Sequence, residues 1–212
     1  MRQMSYLKPW LTFRTLRTAA LPFFWIPATV IFVNDNVAEI TDITGSSMAP
    51  TLSPEDHTTG RKDRVWWDKW NASFKVQRDD VILFAIPSAS DKQGAKRVIA
   101  TEGDTVVLDR RRRPKREASG ADVPESLGWD MWKGRAVVPE GHVWVEGDNW
   151  RESRDSNWYG PISKSLILGK AKAVVLPVER FGMKPWEQYK SRTKVIPGEI
   201  PKKDDYEALQ AM

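Results

Sequence analysis

Hydrophobic positions divide this 212-residue chain into two unlike parts. One uncharged apolar run, Ala19 to Val33, lies near the start, whereas after Glu39 apolar residues occur mainly in short runs between turn-forming residues. These later runs are typical of strands, and helical periodicity of useful length is missing among them. The clearest are Val81–Ile86, Arg97–Ala100, Thr105–Leu108, Val143–Glu146 and Ala171–Leu176. The pattern predicts a mainly β domain, a β-sandwich or a partly closed barrel, after one N-terminal helix.

The apolar run favours a membrane anchor at about residues 16–35, within an N-terminal segment of residues 1–39. Its fifteen residues are fewer than the roughly 20 that cross a bilayer comfortably. Its flanks are more informative, since basic residues precede it and acidic residues follow it: Arg2, Lys8, Arg14 and Arg17, then Asp35, Glu39 and Asp42. This asymmetry predicts that the N terminus stays on the cytosol-like side while the rest crosses. A buried core helix and a cleaved targeting segment are the alternatives.

Residues 40–189 are numerous enough to bury a core and are predicted to form one domain. A polar insertion at about residues 109–133 interrupts it, and Arg110 to Arg116 makes this insertion strongly basic. Such a run is most often a solvated loop, and it lacks the interleaved aromatic residues of a single-strand binding platform. We therefore predict no nucleic-acid partner, despite the net charge of +5. The charged tail, residues 190–212, is expected to be mobile.

The content of cysteine and histidine limits the possible chemistry. Cysteine is absent, which excludes disulfides, thiolate catalysis and thiolate metal sites. His57 and His142 are the only histidines, too few for a histidine-based zinc site unless carboxylates complete it. We predict neither a metal nor a cofactor, and we expect His142 at the surface.

A serine and a lysine carry the candidate chemistry. Ser47 follows Gly45 in a turn-like segment, and its hydroxyl needs a base to remove the proton as it attacks. Lys96 stands at the edge of an apolar strand, where its side chain can point into a dry site. With the reference pKa of about 10.4, roughly one amine in a thousand is neutral near pH 7, so burial must lower this pKa by about 2 to 3. His57 is the alternative base, although the segment does not fit the G-x-S-x-G elbow.

Taken singly, these are an ordinary turn serine and an ordinary strand-edge lysine. The argument therefore depends on a set of motifs in a fixed order: Ser47-Met48-Ala49-Pro50-Thr51, Lys96-Arg97-Val98 with Glu102-Gly103-Asp104, Gly147-Asp148-Asn149, and Ser153-Arg154-Asp155-Ser156. The set resembles the type I signal peptidase family over roughly residues 40–180. Asp155-Ser156-Asn157, with Tyr159-Gly160-Pro161 after it, is most similar to the mitochondrial inner membrane branch, because bacterial relatives usually have Arg where Asn157 stands.

The resemblance implies catalytic and supporting roles at the matching positions. Ser47 would be the nucleophile and Lys96 the general base, with the hydroxyl of Ser153 hydrogen-bonded to the lysine. Asp155 would hold the strand that presents Ser153. Two further residues of the same corner would be structural: Asp148 and Asn149.

The resemblance also implies how the oxyanion and the substrate are bound. Gly45 stands where some bacterial members have a serine that helps bind the oxyanion, so the hole would combine the Ser47 N–H with a second donor. The substrate would lie extended, adding a strand to the edge of the site. The positions that line the side-chain pockets in relatives are Ile43, Leu52 and Ala95.

The function implied by the resemblance is that of a membrane-anchored serine endopeptidase. It would remove presequences from proteins delivered to the mitochondrial intermembrane space, with its catalytic domain on that side of the inner membrane and a sister peptidase subunit as partner. One alternative is a catalytically silent scaffold that stabilises the partner peptidase. Another is a self-cleaving repressor, which would use the same Ser-Lys chemistry but would carry a DNA-binding helix-turn-helix in place of the apolar anchor.

Overall fold

Antiparallel β-strands are the main secondary structure of the computed structural model, which describes residues 13–109 and 134–198. The strands are β1 (Ala38–Asp42), β2 (Arg64–Asp68), β3 (Val81–Ile86), β4 (Ala89–Thr101), β5 (Thr105–Val107), β6 (Arg135–Val137), β7 (His142–Glu146), β8 (Ile162–Ser163), β9 (Ile167–Leu176) and β10 (Lys194–Ile196). The α-helices are α1 (Phe13–Asn36), α2 (Asp56–Thr59) and α3 (Ser156–Tyr159), and short 3₁₀ helices cover Lys164–Leu166, Val178–Arg180 and Pro185–Glu187.

The strands form two sheets. Seven of them are ordered β1-β2-β9-β3-β4-β7-β8, and the other three are ordered β10-β5-β6. The prediction of a mainly β fold is confirmed, and each of the five predicted runs lies in or largely in a strand. In the described part of the chain the larger sheet is not a closed barrel. There β1 pairs with β2 and β8 pairs with β7, so the outer strands do not meet and the sheet stays open.

A helix, α1, covers the segment predicted to be the anchor and is 24 residues long. Several large apolar side chains in its second half are exposed, among them Trp25, Ile31 and Phe32. Within residues 13–109 and 134–198, no helix combines the length and apolar character needed to cross a membrane. The C-terminal end of α1 is held to the domain by Lys69, whose Nζ donates to the Asn34 carbonyl at 3.1 Å and to Glu39 at 3.1 Å.

Part of the predicted mobile tail is structured. Lys194–Ile196 forms β10, which pairs with β5 so that Val195 lies opposite Val106. Val195 also packs against a buried apolar cluster that contains Val106 and Trp144. The rest of the predicted tail, residues 199–212, and nearly all of the predicted insertion, residues 110–133, lie outside the described residues.

The core joins the serine segment to the central strands. Met48 and Leu52 are fully buried against Val81 and Leu83 of β3 in one apolar cluster. The next strand, β4, runs antiparallel to β3 with Lys96 opposite Ile82. Because successive side chains of a strand point to opposite faces, Lys96 and its neighbour Arg97 enter different environments. Because Met48 and Leu52 pack on β3, and β3 pairs with β4, this packing positions Ser47 relative to the strand that carries Lys96.

Candidate active site

The segment that carries Ser47 is a tight turn before the buried Met48. Gly45 has a positive φ of 82°, a conformation that favours glycine. Its N–H donates to Asp56 Oδ2 at 2.8 Å, and the Ser46 hydroxyl donates to the Glu152 carboxylate. Two carboxylates from different parts of the chain therefore hold the backbone just ahead of Ser47. Neither Asp56 nor Glu152 was identified from the sequence, because both lie in polar loops without a pattern that marks them.

Lys96 reaches Ser47 across the turn. Its Nζ donates to Ser47 Oγ at 2.6 Å, and only 7% of the lysine is exposed. Burial lowers the pKa of Lys96 from its ordinary value of 10.5 to about 8, against the opposing effect of the negative charges of Asp155 and Asp148. At this pKa roughly one amine in ten is neutral at pH 7, and a neutral amine can accept the serine proton. The pair therefore has the contact and the proton affinity that a nucleophile and its base need.

Gly147 allows three segments to meet beside this pair. A Cβ at this position would overlap both Ser153 Oγ and the carbonyl oxygen of Ser47, so only glycine fits. The next turn continues the contact, since the N–H of Asn149 donates to the same Ser47 carbonyl at 3.0 Å. The Gly147-Asp148-Asn149 motif thus fixes the backbone of Ser47 directly, which gives Asn149 a structural contact through its main chain.

The hydroxyl of Ser153 does not bond to Lys96, which corrects the hydrogen bond implied by the resemblance. Ser153 Oγ is buried and has no hydrogen-bond partner among the described residues. It lies against Gly147, while the lysine amine is turned to Ser47. A buried hydroxyl without a partner is uncommon in native proteins. The structure therefore brings Ser153 next to Gly147, near Ser47 and Lys96, but leaves its hydroxyl without a hydrogen bond to a described residue.

Asp155 ties the Ser153 segment to the end of β7. Its Oδ2 accepts the N–H of Gly147 at 3.0 Å, and its Oδ1 accepts the backbone N–H and the side-chain amide of Asn157 at 3.1 and 2.9 Å. It is also the N-cap of α3. The Asn157 amide donates in addition to Glu146 at 3.1 Å, so a single amide lies between two carboxylates. These bonds hold Gly147 and Ser153 at a fixed separation.

Arg97 is the main residue of this corner to which the sequence assigned no role. Its Nε and Nη2 donate to the two oxygens of Asp148, both at 2.8 Å, and both side chains are essentially inaccessible to solvent. Such bidentate pairs are the geometrically specific form of the arginine–carboxylate contact. Asp148 therefore has a structural role, because its carboxylate neutralises the buried charge of Arg97. Charged residues are expected at the surface, so the available signal was only their presence within two of the motifs.

The two histidines lie apart from this chemistry. His57 is exposed, and its Nε2 is 3.8 Å from Glu152 Oε2, whereas the described partner of Ser47 Oγ is Lys96. His142 is half-buried, with Nδ1 2.8 Å from the Glu140 carbonyl oxygen. The structure thus gives no support to a His57 triad. Among the described residues, no group of three or more His, Asp or Glu side chains could hold a metal ion.

The predicted pocket residues are divided between the core and the edge of the site. Ile43 and Leu52 are buried in the apolar cluster that contains Met48, whereas Ala95 is half-buried and packs against that cluster. Ala95 directly precedes Lys96 on β4, and β4 pairs with β7 only from Arg97 onward. In the described part of the chain, this side of the β4 backbone before Arg97 therefore has no strand partner, which leaves room for an extended peptide.

Comparison with known proteins gives a consistent result. The family described as signal peptidase, peptidase S26, matches residues 16–176. Mitochondrial inner membrane protease subunit 2 of Saccharomyces cerevisiae is 35% identical over 173 residues, covering 80% of this chain and 85% of that protein. The protein of the same name in Schizosaccharomyces pombe is 35% identical over 174 residues, covering 82% and 84%. Mitochondrial inner membrane protease subunit 1 of Mus musculus is 34% identical over 139 residues, covering 65% and 69%.

Proposed function

Because the chain belongs to the type I signal peptidase family and is thus a serine peptidase, we propose that it cleaves with a Ser47–Lys96 dyad. Its substrates in this proposal are precursors delivered to the mitochondrial intermembrane space, from which it removes presequences. The observation that carries the proposal is the 2.6 Å contact between Lys96 Nζ and Ser47 Oγ at a buried position. Burial keeps the Lys96 amine partly neutral. The short contact lets this amine accept the proton of the Ser47 hydroxyl directly.

The proposed reaction has two stages with balanced proton transfers. Neutral Lys96 takes the Ser47 proton as Oγ attacks the scissile carbonyl, and the ammonium then gives that proton to the leaving amine. An acyl-enzyme remains on Ser47 Oγ. Lys96, neutral again, removes a proton from water, the hydroxide attacks the ester, and the proton returns to Ser47 as the presequence acid leaves. One residue therefore acts as base and as acid in each stage.

The backbone of Ser47 supplies one donor for the oxyanion. Its N–H has no acceptor among the described residues, whereas its carbonyl is held by Asn149. A free backbone donor at the nucleophile is a common part of an oxyanion hole. Gly45 offers no hydroxyl here, and its own N–H is occupied by Asp56. The second donor to the oxyanion therefore comes from a group other than Gly45, while Ser47 contributes its backbone N–H.

An extended substrate fits the unpaired edge of β4 beside Lys96. Main-chain hydrogen bonds to this edge would supply affinity that does not depend on side chains, as in strand addition elsewhere. Ala95 would face the substrate, and its small side chain would form the floor of a shallow pocket. Small residues next to the cleaved bond are therefore the expected preference, with Ile43 and Leu52 shaping the pocket from beneath.

The proposed location is the mitochondrial inner membrane, with the catalytic domain in the intermembrane space. The names of the relatives support the membrane, and the basic residues before the apolar run of residues 19–33 and the acidic residues after it support the orientation. The exposed apolar side chains of α1 support contact with lipid. Since relatives occur as subunit 1 and subunit 2, a sister peptidase subunit is the proposed partner.

Precursor processing in mitochondria that lack this protein tests the proposal. Wild-type protein should restore cleavage of an inner membrane presequence, whereas Ser47→Ala and Lys96→Met should each lower the rate on the order of 10³-fold or more. His57→Ala is the matched control, because it changes a neighbouring base that does not touch Ser47, and it should retain the wild-type rate.

The same experiment separates the rival functions. If Ser47→Ala and Lys96→Met both restore processing, the protein is a scaffold for a partner peptidase and the dyad proposal fails. If His57→Ala abolishes processing while Lys96→Met does not, histidine is the base. The double variant Ser47→Ala/Lys96→Met should be no slower than either single variant, since two groups that act as one unit are not additive.

A further inference from the structure

We call residues 185–198, which run from the 3₁₀ helix at Pro185–Glu187 through β10, the C-terminal strap. It begins with the buried Trp186, which packs in the same apolar cluster as Met48 and Leu52. The Trp186 carbonyl accepts a hydrogen bond from Arg97 Nη1 at 2.9 Å. The first turn of the strap is therefore in contact with both the Ser47 segment and the strand that carries Lys96.

The middle of the strap contacts the other charged residues of the corner. The Tyr189 hydroxyl donates to the Asp148 carbonyl at 3.1 Å, and the Arg97 guanidinium carbon lies 4.9 Å from the centre of the Tyr189 ring. Thr193 Oγ1 donates to Glu146 Oε2 at 2.6 Å. Each contact goes to a residue beside Lys96 or Gly147 in the chain, and none goes to Ser47 or Lys96.

The far end of the strap is also fastened. Beyond Thr193, β10 pairs with β5, and the Gly198 N–H donates to Asp104 Oδ1 at 3.3 Å. Both ends are thus anchored, one in the core and one in the small sheet. The family match ends at residue 176, so the strap lies beyond the part of the chain that identifies the family.

We propose that the C-terminal strap is a positioning element for the Ser47–Lys96 pair and that Tyr189 and Thr193 are its main contacts. It acts by sealing Arg97, Asp148 and Glu146 from water. This inference depends on the proposed function, since it concerns the base of that dyad. The strap residues touch neither substrate nor the reacting atoms.

The physical basis is that Lys96 depends on a dry, fixed surrounding. The charged groups around it are Asp148 and Asp155, with Arg97 paired to Asp148 and Glu146 bonded to Asn157. Loosening the strap would admit water beside the Arg97–Asp148 pair and weaken the desolvation of the amine. Because desolvation is the largest cause of the lowered pKa, that pKa should rise toward its ordinary value, and less of the amine should be neutral at pH 7.

The pH dependence of kcat/KM on a presequence peptide tests this inference, with the full chain purified together with any partner subunit it retains. The variants are Tyr189→Leu, which removes the ring and the hydroxyl but keeps apolar volume, and Thr193→Val, which keeps shape. Arg192→Ala is the matched control, because it changes an exposed strap residue. The acid limb of this profile reports the base in the free enzyme.

We expect the wild-type limb near pH 8 and a limb about 0.5 to 1 pH unit higher in Tyr189→Leu, with a smaller shift in Thr193→Val. This corresponds to a loss of roughly three- to tenfold at pH 7 that is mostly recovered at pH 10. Arg192→Ala should match the wild type. A purely structural role would lower activity equally at every pH, and an unmoved limb in Thr193→Val and Tyr189→Leu overturns the inference.

Two outcomes keep this test separate from that of the proposed function. If Tyr189→Leu does not fold, Thr193→Val and Tyr189→Phe decide, and an unmoved limb in both overturns the inference. If wild-type activity is unaffected by Ser47→Ala, the proposed function fails. If that activity requires Ser47 and Lys96 while every strap variant keeps the wild-type limb, only the role of the strap is wrong.

Discussion

Lys96 and Arg97 are adjacent buried basic residues of one strand, 7% and 0% exposed. Their surroundings have opposite effects on a positive charge. Arg97 has a bidentate carboxylate, two carbonyl acceptors and an aromatic ring. Among the described residues, Lys96 has one side-chain hydrogen bond, to a serine hydroxyl, and no ion pair with a carboxylate. The structure therefore stabilises the charge at one position and disfavours it at the next.

The difference shows how a lysine can be kept partly neutral, as a candidate base, within a stable strand. Burying an ion without a partner is costly, and a titratable group responds by losing its charge. Arginine cannot respond in this way because its pKa is too high, so it must be fully paired. Lysine can, and the resulting neutral amine is the form that the proposed reaction requires. Because successive side chains of β4 point to opposite faces, the neutral lysine and the paired arginine are kept apart.

Removing the paired charge should have the largest effect on stability. Arg97→Met leaves the Asp148 carboxylate buried without its partner, and we expect a loss of about 3 to 5 kcal/mol in the free energy of unfolding. Urea unfolding at pH 7, followed by tryptophan fluorescence, measures it. Arg97→Met/Asp148→Leu is the control, since removing both charges should recover much of the loss. A loss below about 1 kcal/mol in the single variant would show that the pair is not desolvated.

Removing the unpaired charge should stabilise the protein by a smaller amount. The fall of the Lys96 pKa from 10.5 to about 8 corresponds to a cost of about 3 kcal/mol, at about 1.4 kcal/mol per pH unit. Between these two pH values the unfolded chain binds more protons than the native one, so wild-type stability rises with pH there. Lys96→Met should therefore be more stable than the wild type by up to about 3 kcal/mol at pH 7.

The pH dependence of this gain is its control. Below about pH 8 the gain should be constant, and it should disappear as the pH approaches 10.5, where the wild-type amine is neutral in both states. Urea unfolding of both proteins at pH 7, 9 and 10.5 measures the gain. A Lys96→Met variant that is less stable at pH 7, or a gain that does not change with pH, would contradict a destabilising buried ammonium.

The unused hydroxyl of Ser153 should contribute least. Because Ser153 Oγ has no hydrogen-bond partner in the part of the chain that the structure describes, Ser153→Ala should change the free energy of unfolding by no more than about 0.5 kcal/mol. Ser156→Ala is the matched control, since its hydroxyl accepts the Val145 N–H at 2.9 Å and its loss should cost about 1 to 3 kcal/mol. Equal losses in the two variants would show that Ser153 is bonded after all. A fall in kcat at unchanged stability would assign its hydroxyl to the reacting state.

Sequence reasoning was most successful where local pattern decides the structure. Val81–Ile86 is an apolar run that forms a strand with its first four residues buried, so its pattern and its position agree. It failed where pairing with a distant segment decides. Lys194–Ile196 has only three residues and forms a strand because it pairs with β5. In the described part of the chain, the edge strands β1 and β8 pair with the inner strands β2 and β7 and not with each other. No local pattern records either fact.

The sequence by itself determined the family, the order of the motifs and the residue types available for chemistry, because these are properties of the chain read in order. It also limited the reaction, since the absence of cysteine excludes a thiolate nucleophile. Only the tertiary structure decided that Lys96 meets Ser47, that Arg97 is paired, and that the Ser153 hydroxyl is left alone. The physical reason is that desolvation and charge pairing depend on which distant segments pack together, and packing belongs to the folded chain as a whole.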